Sequence, residues 1–322
     1  MGAKYQCDFC GYASDSLDDF EADFQNNRGY WCPCCDGFTY FAATVENHRF
    51  RVVFESKTVL CDGETKRLDF PTQVSPLRWP GGKSKLVGPV LERCNFDNMV
   101  NFVEPFAGGA SVGLSLLLAG KVQELYINDL DYGIYALFYV IKTCPWALLE
   151  KIESFTPTKE AYKISQHVLQ QGYESLDIVD AAWHLLAVNR MAFSGIPKAN
   201  CMSNPAARWN KDTLKKRILN INAHAEHLHV SCMDACKFIE EMYWKSNTTI
   251  FIDPPYEAAG KSLYMKHYEN DDHVRLAVLL DELYKGMPGA DMLLTYDDSE
   301  YIRNLYCFPV TETIGRKYSI AN

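Results

Sequence analysis

The sequence predicts an α/β protein: a doubly wound, mostly parallel sheet with a helical insertion and a small cysteine-rich β element at its N-terminal end. Three observations carry that prediction. From Leu77 onward, short apolar runs alternate with helix-like stretches, the pattern of strands and crossover helices. Two Cys-x2-Cys pairs stand within the first 35 residues. The run Thr248-Thr249-Ile250-Phe251-Ile252 ends abruptly in Asp253-Pro254-Pro255-Tyr256, as a buried strand does when it stops at a sheet edge.

Residues 1–70 differ in character from the rest. Cys7-x2-Cys10 and Cys32-x2-Cys35 are separated by 21 residues, a spacing suited to one tetrahedral zinc held by four thiolates. Cys34 competes with Cys35 for the second pair, and spacing alone favours Cys35. Gly11 and Gly37 follow the pairs, where such turns tighten. Phe38 to Thr44, His48 to Glu55 and a hairpin turn at Asp62-Gly63 complete a zinc ribbon followed by a small β element. Pro71-Thr72-Gln73-Val74-Ser75-Pro76 reads as a linker.

The sheet region comprises residues 77–144 and 226–322. Expected strands are Met99 to Val103, Glu124 to Ile127, His227 to Ser231, Thr248 to Ile252 and Met292 to Thr295. Helices are expected from Ala110 to Ala119, Tyr132 to Lys142, near 234–243 and over 272–285. Residues 145–225 form the helical insertion.

With 322 residues, 48% hydrophobic and 13% aromatic, the chain can bury a large core. No apolar run approaches the ~18 residues of a membrane span, and the N-terminus lacks a secretory apolar stretch; the expected location is intracellular. Twelve cysteines there point to metal ligands and buried thiols rather than disulfides. The net charge of −9 weighs against a nucleic-acid partner, although a local basic stripe matters more than the total. Lys211, Lys215, Lys216 and Arg217, with Arg208 and Trp209 nearby, supply such a stripe; an ordinary solvated helix face is the alternative. His224, His227 and His229 read as surface or strand-end histidines rather than metal ligands.

The chemistry concentrates at strand ends. At Asp253-Pro254-Pro255-Tyr256 a carboxylate and a backbone carbonyl can each accept one N–H of a planar exocyclic amine, while the Tyr256 ring stacks on the attached base. The amine lone pair is then freer to attack. Phe102 to Ser111, with Gly108-Gly109 inside, is a strand, a glycine turn and a helix start, where the backbone can approach a ligand closely. Neither that spacing nor Gly81-Gly82-Lys83-Ser84 makes a dinucleotide or phosphate-loop motif. Asn128-Asp129 ends the next strand and offers a carboxylate for ribose hydroxyls, or simply a helix cap. A nucleoside-bearing ligand without a phosphate requirement follows.

These motifs occur in one order: Arg78-Trp79-Pro80-Gly81-Gly82-Lys83, Val103-Glu104-Pro105-Phe106-Ala107-Gly108-Gly109, Asn128-Asp129, Val188-Asn189-Arg190 with Ser194-Gly195, and Asp253-Pro254-Pro255-Tyr256. Over about residues 77–320 the chain resembles the DNA adenine methylase family, the D12 class of N6-adenine methyltransferases. The resemblance implies a Rossmann-like methyltransferase sheet, S-adenosylmethionine as donor, an adenine of double-stranded DNA as acceptor, and a bacterial or phage source. By motif, Trp79 and Lys83 would line the donor pocket, and Glu104, Pro105, Phe106 and Gly108 would surround the donor's methionine part. Asp129 would hold its ribose and Asp234 would lie near its adenine. Asp253, Pro254, Pro255 and Tyr256 would take the acceptor base. The insertion would read DNA, with Arg78 beside it, Phe193 as a wedge and Ser194 and Lys198 near the bases, while Lys215 and Lys216 hold phosphate. The zinc element lies outside the resemblance and could touch DNA or a protein.

Two departures stand out. Lys198 and Ser194 occupy positions where GATC-specific members carry Arg and Asn, and Lys cannot make a planar bidentate contact. The family continues past Arg316-Lys317-Tyr318-Ser319 into a last strand completing the sheet, which here would have to be lost or supplied differently. Two alternatives remain open: a related methyltransferase acting on cytosine N4, RNA adenine or a protein amide, and a catalytically silent DNA-binding or interaction module.

Overall fold

The structure is a computed structural model, and it describes residues 5–7, 10–14, 19–23, 29–39, 50–56, 70–71, 73–78, 93–94, 99–173, 176–257, 268–306 and 310–315. Short antiparallel strands form the N-terminal element: β1 (Tyr5–Gln6) pairs with β2 (Ala13–Ser14), and β3 (Glu21–Asp23), β4 (Gly29–Trp31) and β5 (Phe38–Thr39) form a three-stranded sheet. Cys7, Phe20, Tyr30 and Cys32 make a small core that packs on Met287.

Among the described residues, seven strands form the main sheet: β6 (Phe50–Ser56), β7 (Asn101–Glu104), β8 (Glu124–Asn128), β9 (Leu228–Ser231), β10 (Thr248–Ile252), β11 (Asp291–Asp297) and β12 (Val310–Gly315). Their order is β12-β6-β11-β10-β7-β8-β9. Every neighbouring pair is parallel. Successive residues along a strand point to opposite faces, and both faces are apolar. Val53, Phe102, Phe251 and Leu293 enter one core; Val52, Phe54, Val103, Ile250, Ile252 and Leu294 enter the other. A parallel sheet has to be covered on both sides. On the first face lie α1 (Ser111–Leu118), α2 (Tyr132–Thr143) and the insertion helices α3 (Pro145–Ser154), α4 (Lys159–Gln170), α5 (Ile178–Met191) and α6 (Lys211–Asn222). On the second lie α7 (Ala235–Tyr243), α8 (Asn270–Lys285) and α9 (Glu300–Leu305). The predicted doubly wound architecture is observed. No single helix among the described residues is long and apolar enough to cross a membrane.

The strand Phe50–Ser56 corrects the expected boundary at residue 70. It was assigned to the N-terminal element, but it lies inside the main sheet between β11 and β12. Six of its seven residues are buried, which a two-sided parallel sheet provides and a small ribbon does not. A strand from the N-terminal side thus fills an interior position of the sheet. Residues 57–69, with the Asp62-Gly63 turn, lie outside the described residues, as do Trp79, Lys83 and residues 316–322.

A second correction concerns Pro71 to Pro76. Val74, Ser75 and Leu77 are buried; Ser115 Oγ donates to the Pro71 carbonyl at 2.9 Å and Arg217 Nη1 to the Ser75 carbonyl at 3.0 Å. The segment is a packed strap joining α1 to α6, because its apolar side chains have a core to enter. The insertion, likewise, is no detached module: Ala181, Leu185, Leu186 and Val188 share one core with Phe102 and Leu125.

Candidate active site

The strand order reverses between β7 and β10, which are adjacent although β8 and β9 intervene in sequence. Ligands of open α/β sheets bind at such a switch point, beyond the carboxyl ends of the strands. The sequence places acids there: Glu55 in β6, Glu104 ending β7, Asp129 after β8, Asp234 after β9 and Asp253 after β10.

Glu104 is 3% exposed. Its Oε1 accepts the Gly113 N–H at 2.9 Å, and its Oε2 is buried with no hydrogen-bond partner. Burial pushes its carboxyl up to about 8 against the opposing pull of the Gly113 N–H, and the nearby Asp253 charge adds to the rise. Gly113 is needed here, since a Cβ would stand 2.4 Å from Leu125 Cδ1. After Glu104 the chain turns through Gly108 and Ala110, both in the left-handed region at φ 46 and 47, and α1 begins. This turn presents backbone, not side chain, to whatever occupies the crevice. An orphaned buried carboxyl oxygen beside it suits a ligand carrying a cation or N–H donors.

Asp129 sits opposite. Its Oδ2 accepts the Gly108 N–H at 2.8 Å and its Oδ1 the Asp131 N–H at 2.9 Å. The cap of α2 is Asp131, which accepts the Gly133 N–H. That finding sets aside the helix-cap reading of Asp129. Burial, then the Asp131 charge, pushes the Asp129 carboxyl up to about 7. Two N–H donors do not exhaust a carboxylate's acceptor capacity, so hydroxyls of a ligand can still be bound.

Sequence reasoning missed the role of Asn128. Its Nδ2 donates to the Pro105 carbonyl at 3.1 Å and the Met233 carbonyl at 3.0 Å, while its Oδ1 accepts from Ser231 Oγ and the Met233 N–H. It stitches three strand ends together. The Phe106 ring packs edge-on to Tyr268 at 5.4 Å. Asp234 caps α7 through the Lys237 N–H and pairs with Arg275, so two of its interactions are internal.

On the acceptor side, Pro254 is buried and Asp253, Pro255 and Tyr256 are half-buried. Thr295 Oγ1 donates to Asp253 Oδ1 at 2.8 Å, and the Tyr256 hydroxyl donates to Glu55 Oε1 at 2.8 Å. Neither Thr295 nor Glu55 was singled out from sequence. The available signal was the same for both: a polar side chain at or near the end of an apolar strand.

The insertion also carries a loop between α5 and α6. Ala192 and Cys201 form a bridge, and Phe193 N–H donates to the Asn200 carbonyl at 2.9 Å. Phe193 is 48% exposed; Ser194 adopts φ 56, and Lys198 is exposed. Gln166 on α4 holds the loop's far arm through the Pro197 and Ala199 carbonyls. Asn189 accepts the Arg78 N–H at 2.7 Å and donates to the carbonyls of Arg78 and Gly195. The Arg78 guanidinium is half-buried, and burial together with Arg208 lowers its pKa. Lys216 is exposed. Lys215 differs, pairing with Glu153 at 2.6 Å. Trp209 belongs to the core, against Phe155 and Trp183. His227 and His229 both pair with Glu124.

At the N-terminal element, the sulfurs of Cys7, Cys10, Cys32 and Cys35 all lie within 4.8 Å of one another. Cys7 to Cys35 and Cys10 to Cys32 are 3.7 Å apart, too long for disulfides at ~2.05 Å. A tetrahedron of metal–sulfur bonds of ~2.3 Å has edges of about 3.8 Å, so the donor set fits zinc. The geometry chooses Cys35 over Cys34, whose backbone N–H instead donates to Cys32 Sγ.

The profile of the D12 class N6 adenine-specific DNA methyltransferases matches residues 79–320. The chain is 23% identical over 247 residues to the Type II methyltransferase M.MjaIII of Methanocaldococcus jannaschii, covering 69% of this chain and 84% of that protein. It is 22% identical over 255 residues to the Type II methyltransferase M.CviBI of Paramecium bursaria Chlorella virus NC1A, covering 75% and 90%. The modification methylase StsI of Streptococcus sanguinis is 26% identical over 202 residues, which cover 56% of this chain and 28% of that larger protein. Fold, strand-end acids and profile agree: the chain belongs to the D12 class N6 adenine-specific DNA methyltransferase family.

Proposed function

We propose that the protein transfers the methyl group of S-adenosylmethionine to N6 of an adenine flipped out of double-stranded DNA. What supports this reading is that two groups gather at the β7–β10 switch point: the glycine turn with Glu104 and Asp129, and Asp253-Pro254-Pro255-Tyr256, whose Asp253 lies near enough to Glu104 to raise its pKa.

On the donor side, Glu104 would face the methionine ammonium with its orphaned oxygen, and Asp129 would accept from the ribose hydroxyls. Pro105, Phe106 and Gly108 would form the wall between them. Asp234 would lie near the donor's adenine only if its ion pair with Arg275 leaves an acceptor available. When bound, the donor supplies an electrophilic methyl on a sulfonium.

The chain's own residues act on the acceptor. Asp253 and the Pro254 carbonyl each accept one N–H of the adenine amine, which leaves the nitrogen lone pair directed at the methyl. Tyr256 stacks on the base. As the new C–N bond forms and the S–C bond breaks, the nitrogen carries a surplus proton, held by the same two acceptors until it passes to water. Acceleration comes from positioning and from fixed dipoles around the reacting amine. A base inside a duplex cannot reach this crevice, so it has to leave the stack. Phe193, exposed where the loop leaves α5, suits a wedge that fills the gap.

Zinc, held by Cys7, Cys10, Cys32 and Cys35, would order the N-terminal element. The functional reading is tested by incubating the protein with double-stranded DNA and donor carrying a labelled methyl group, then digesting the DNA to nucleosides. Label in N6-methyladenine is expected. Label in N4-methylcytosine, or none in DNA, overturns the reading.

A further inference from the structure

Glu55 stands apart from the other strand-end acids. It lies outside residues 79–320, the stretch that matches the family, on the strand that reaches the sheet from the N-terminal side. It is 2% exposed, and its Oε1 accepts the hydroxyl proton of Tyr256, 2.8 Å away and 201 positions along the chain. We infer that Glu55 is a positioning residue for the acceptor base, holding the Tyr256 ring where a flipped purine stacks on it. The inference rests on the reading of Tyr256 as the stacking residue.

A tyrosine ring is placed by two torsions, the first confined to staggered wells and the second broad and weakly held. Its hydroxyl lies on the axis of that second torsion. A hydrogen bond at the hydroxyl therefore fixes where the axis ends but leaves the ring free to spin about it. The spin is limited by a second contact: the Tyr296 ring lies 5.9 Å from Tyr256 at an interplanar angle of 32°. Tyr296 is itself fully buried and bonded to His273. Glu55 is held equally firmly. In β6 it is paired with Asp297 of β11 on one side and Ile314 of β12 on the other, and its carbonyl accepts the Asp298 N–H at 3.2 Å. An acceptor on an interior strand is a more exact anchor than one on a loop. Without it the ring samples orientations that do not present a face to the base, and a purine entering the site is stacked only part of the time.

The test is a double-mutant cycle on the full chain, read as methyl transfer from labelled S-adenosylmethionine to double-stranded DNA amplified in vitro, which carries no prior methylation. Tyr256→Phe and Glu55→Ala each remove the hydrogen bond and are expected to lower kcat about tenfold, the effect of losing one hydrogen bond, with KM for the donor unchanged. The double variant is expected to be no worse than the poorer single variant, because both remove the same bond. Glu55→Gln, which keeps an acceptor oxygen, is expected to retain most of the rate. Additive losses, or a Glu55→Gln as poor as Glu55→Ala, overturn the inference. Should Glu55→Ala fail to fold by circular dichroism, Tyr256→Phe and Glu55→Gln decide: unchanged kcat in Tyr256→Phe overturns it. Asp253→Ala run in parallel separates the two levels. If Asp253→Ala still methylates, the reading of the site has failed, and Glu55 falls with it; if Asp253→Ala is inactive while Tyr256→Phe and Glu55→Ala match the unmodified enzyme, only the positioning role is lost.

Discussion

Thr295, near the end of β11, donates a 2.8 Å hydrogen bond to Asp253 Oδ1, beyond the end of the neighbouring β10. The two residues are parallel-strand neighbours in space and 42 positions apart in sequence. The bond fixes the rotamer of the carboxylate that would accept the adenine amine. Asp253→Ala should lower methyl transfer by about a hundredfold or more, the scale for losing a group that stabilises charge in the transition state, with the fold kept. Thr295→Val should leave Asp253 in place but less well aimed, lowering kcat several-fold without changing the donor affinity. Turnover near that of the unmodified enzyme in Asp253→Ala contradicts the assignment.

Asp129 tests the donor side. Replacing it with Ala removes the charged acceptor for the ribose and should weaken S-adenosylmethionine binding by ~1.5–3 kcal/mol, measured by calorimetric titration. Because Asp129 also accepts the Gly108 N–H, a circular dichroism melt of the same variant checks that the turn survives. Unchanged affinity would leave Asp129 as a purely structural brace for the glycine turn.

The Glu104 carboxyl gives a pH signature. Its folded pKa, raised by burial to about 8, lies above the ordinary value of 4.5. Between those values the native state holds a proton that the unfolded chain has released, so stability falls as pH rises through that window. Asp129, raised to about 7, acts in the same direction at lower pH. Glu104→Gln removes the first contribution. In the absence of donor, its melting temperature should exceed that of the unmodified protein at pH 8.5 and match it near pH 4.5. Equal differences at both pH values would mean that Glu104 is not the titrating group.

One zinc per chain is expected in protein purified without chelator, by elemental analysis. A Cys7→Ser/Cys32→Ser double variant should lose it together with the order of the N-terminal element, since metal binding and folding are coupled in such sites. Full metal content in the double variant would place the ion elsewhere.

Lys216 and Lys198 separate two kinds of DNA contact. Lys216→Ala should weaken binding to every sequence alike and lower the salt slope by about 1, as loss of a phosphate contact does. Lys198→Ala should instead relax discrimination by ~1–3 kcal/mol at one base position. Lys215→Ala should do less than Lys216→Ala, because Lys215 is already paired with Glu153. If none of the three changes binding, the DNA surface lies elsewhere, with the N-terminal element the next candidate.

Local sequence determined the parts of this protein that depend on neighbours along the chain. Strand and helix alternation from residue 99 onward is set by apolar runs and their periods. The Pro-Pro stop fixes the end of β10, and the spacing of the Cys pairs fixes which thiols can share a metal. The acids at strand ends were visible because a carboxylate after an apolar run is costly unless it has work or partners at the sheet edge. Tertiary structure alone decided which distant elements meet. Phe50–Ser56 reads as an isolated apolar run, and nothing local says whether such a run joins a ribbon or an interior sheet position; burial on both faces between β11 and β12 settled it. The same holds for Glu55 with Tyr256, Thr295 with Asp253, and Lys215 with Glu153. Strand order and side-chain pairing across it come from how two apolar faces are best covered at once, a property of the whole packed sheet rather than of any one segment.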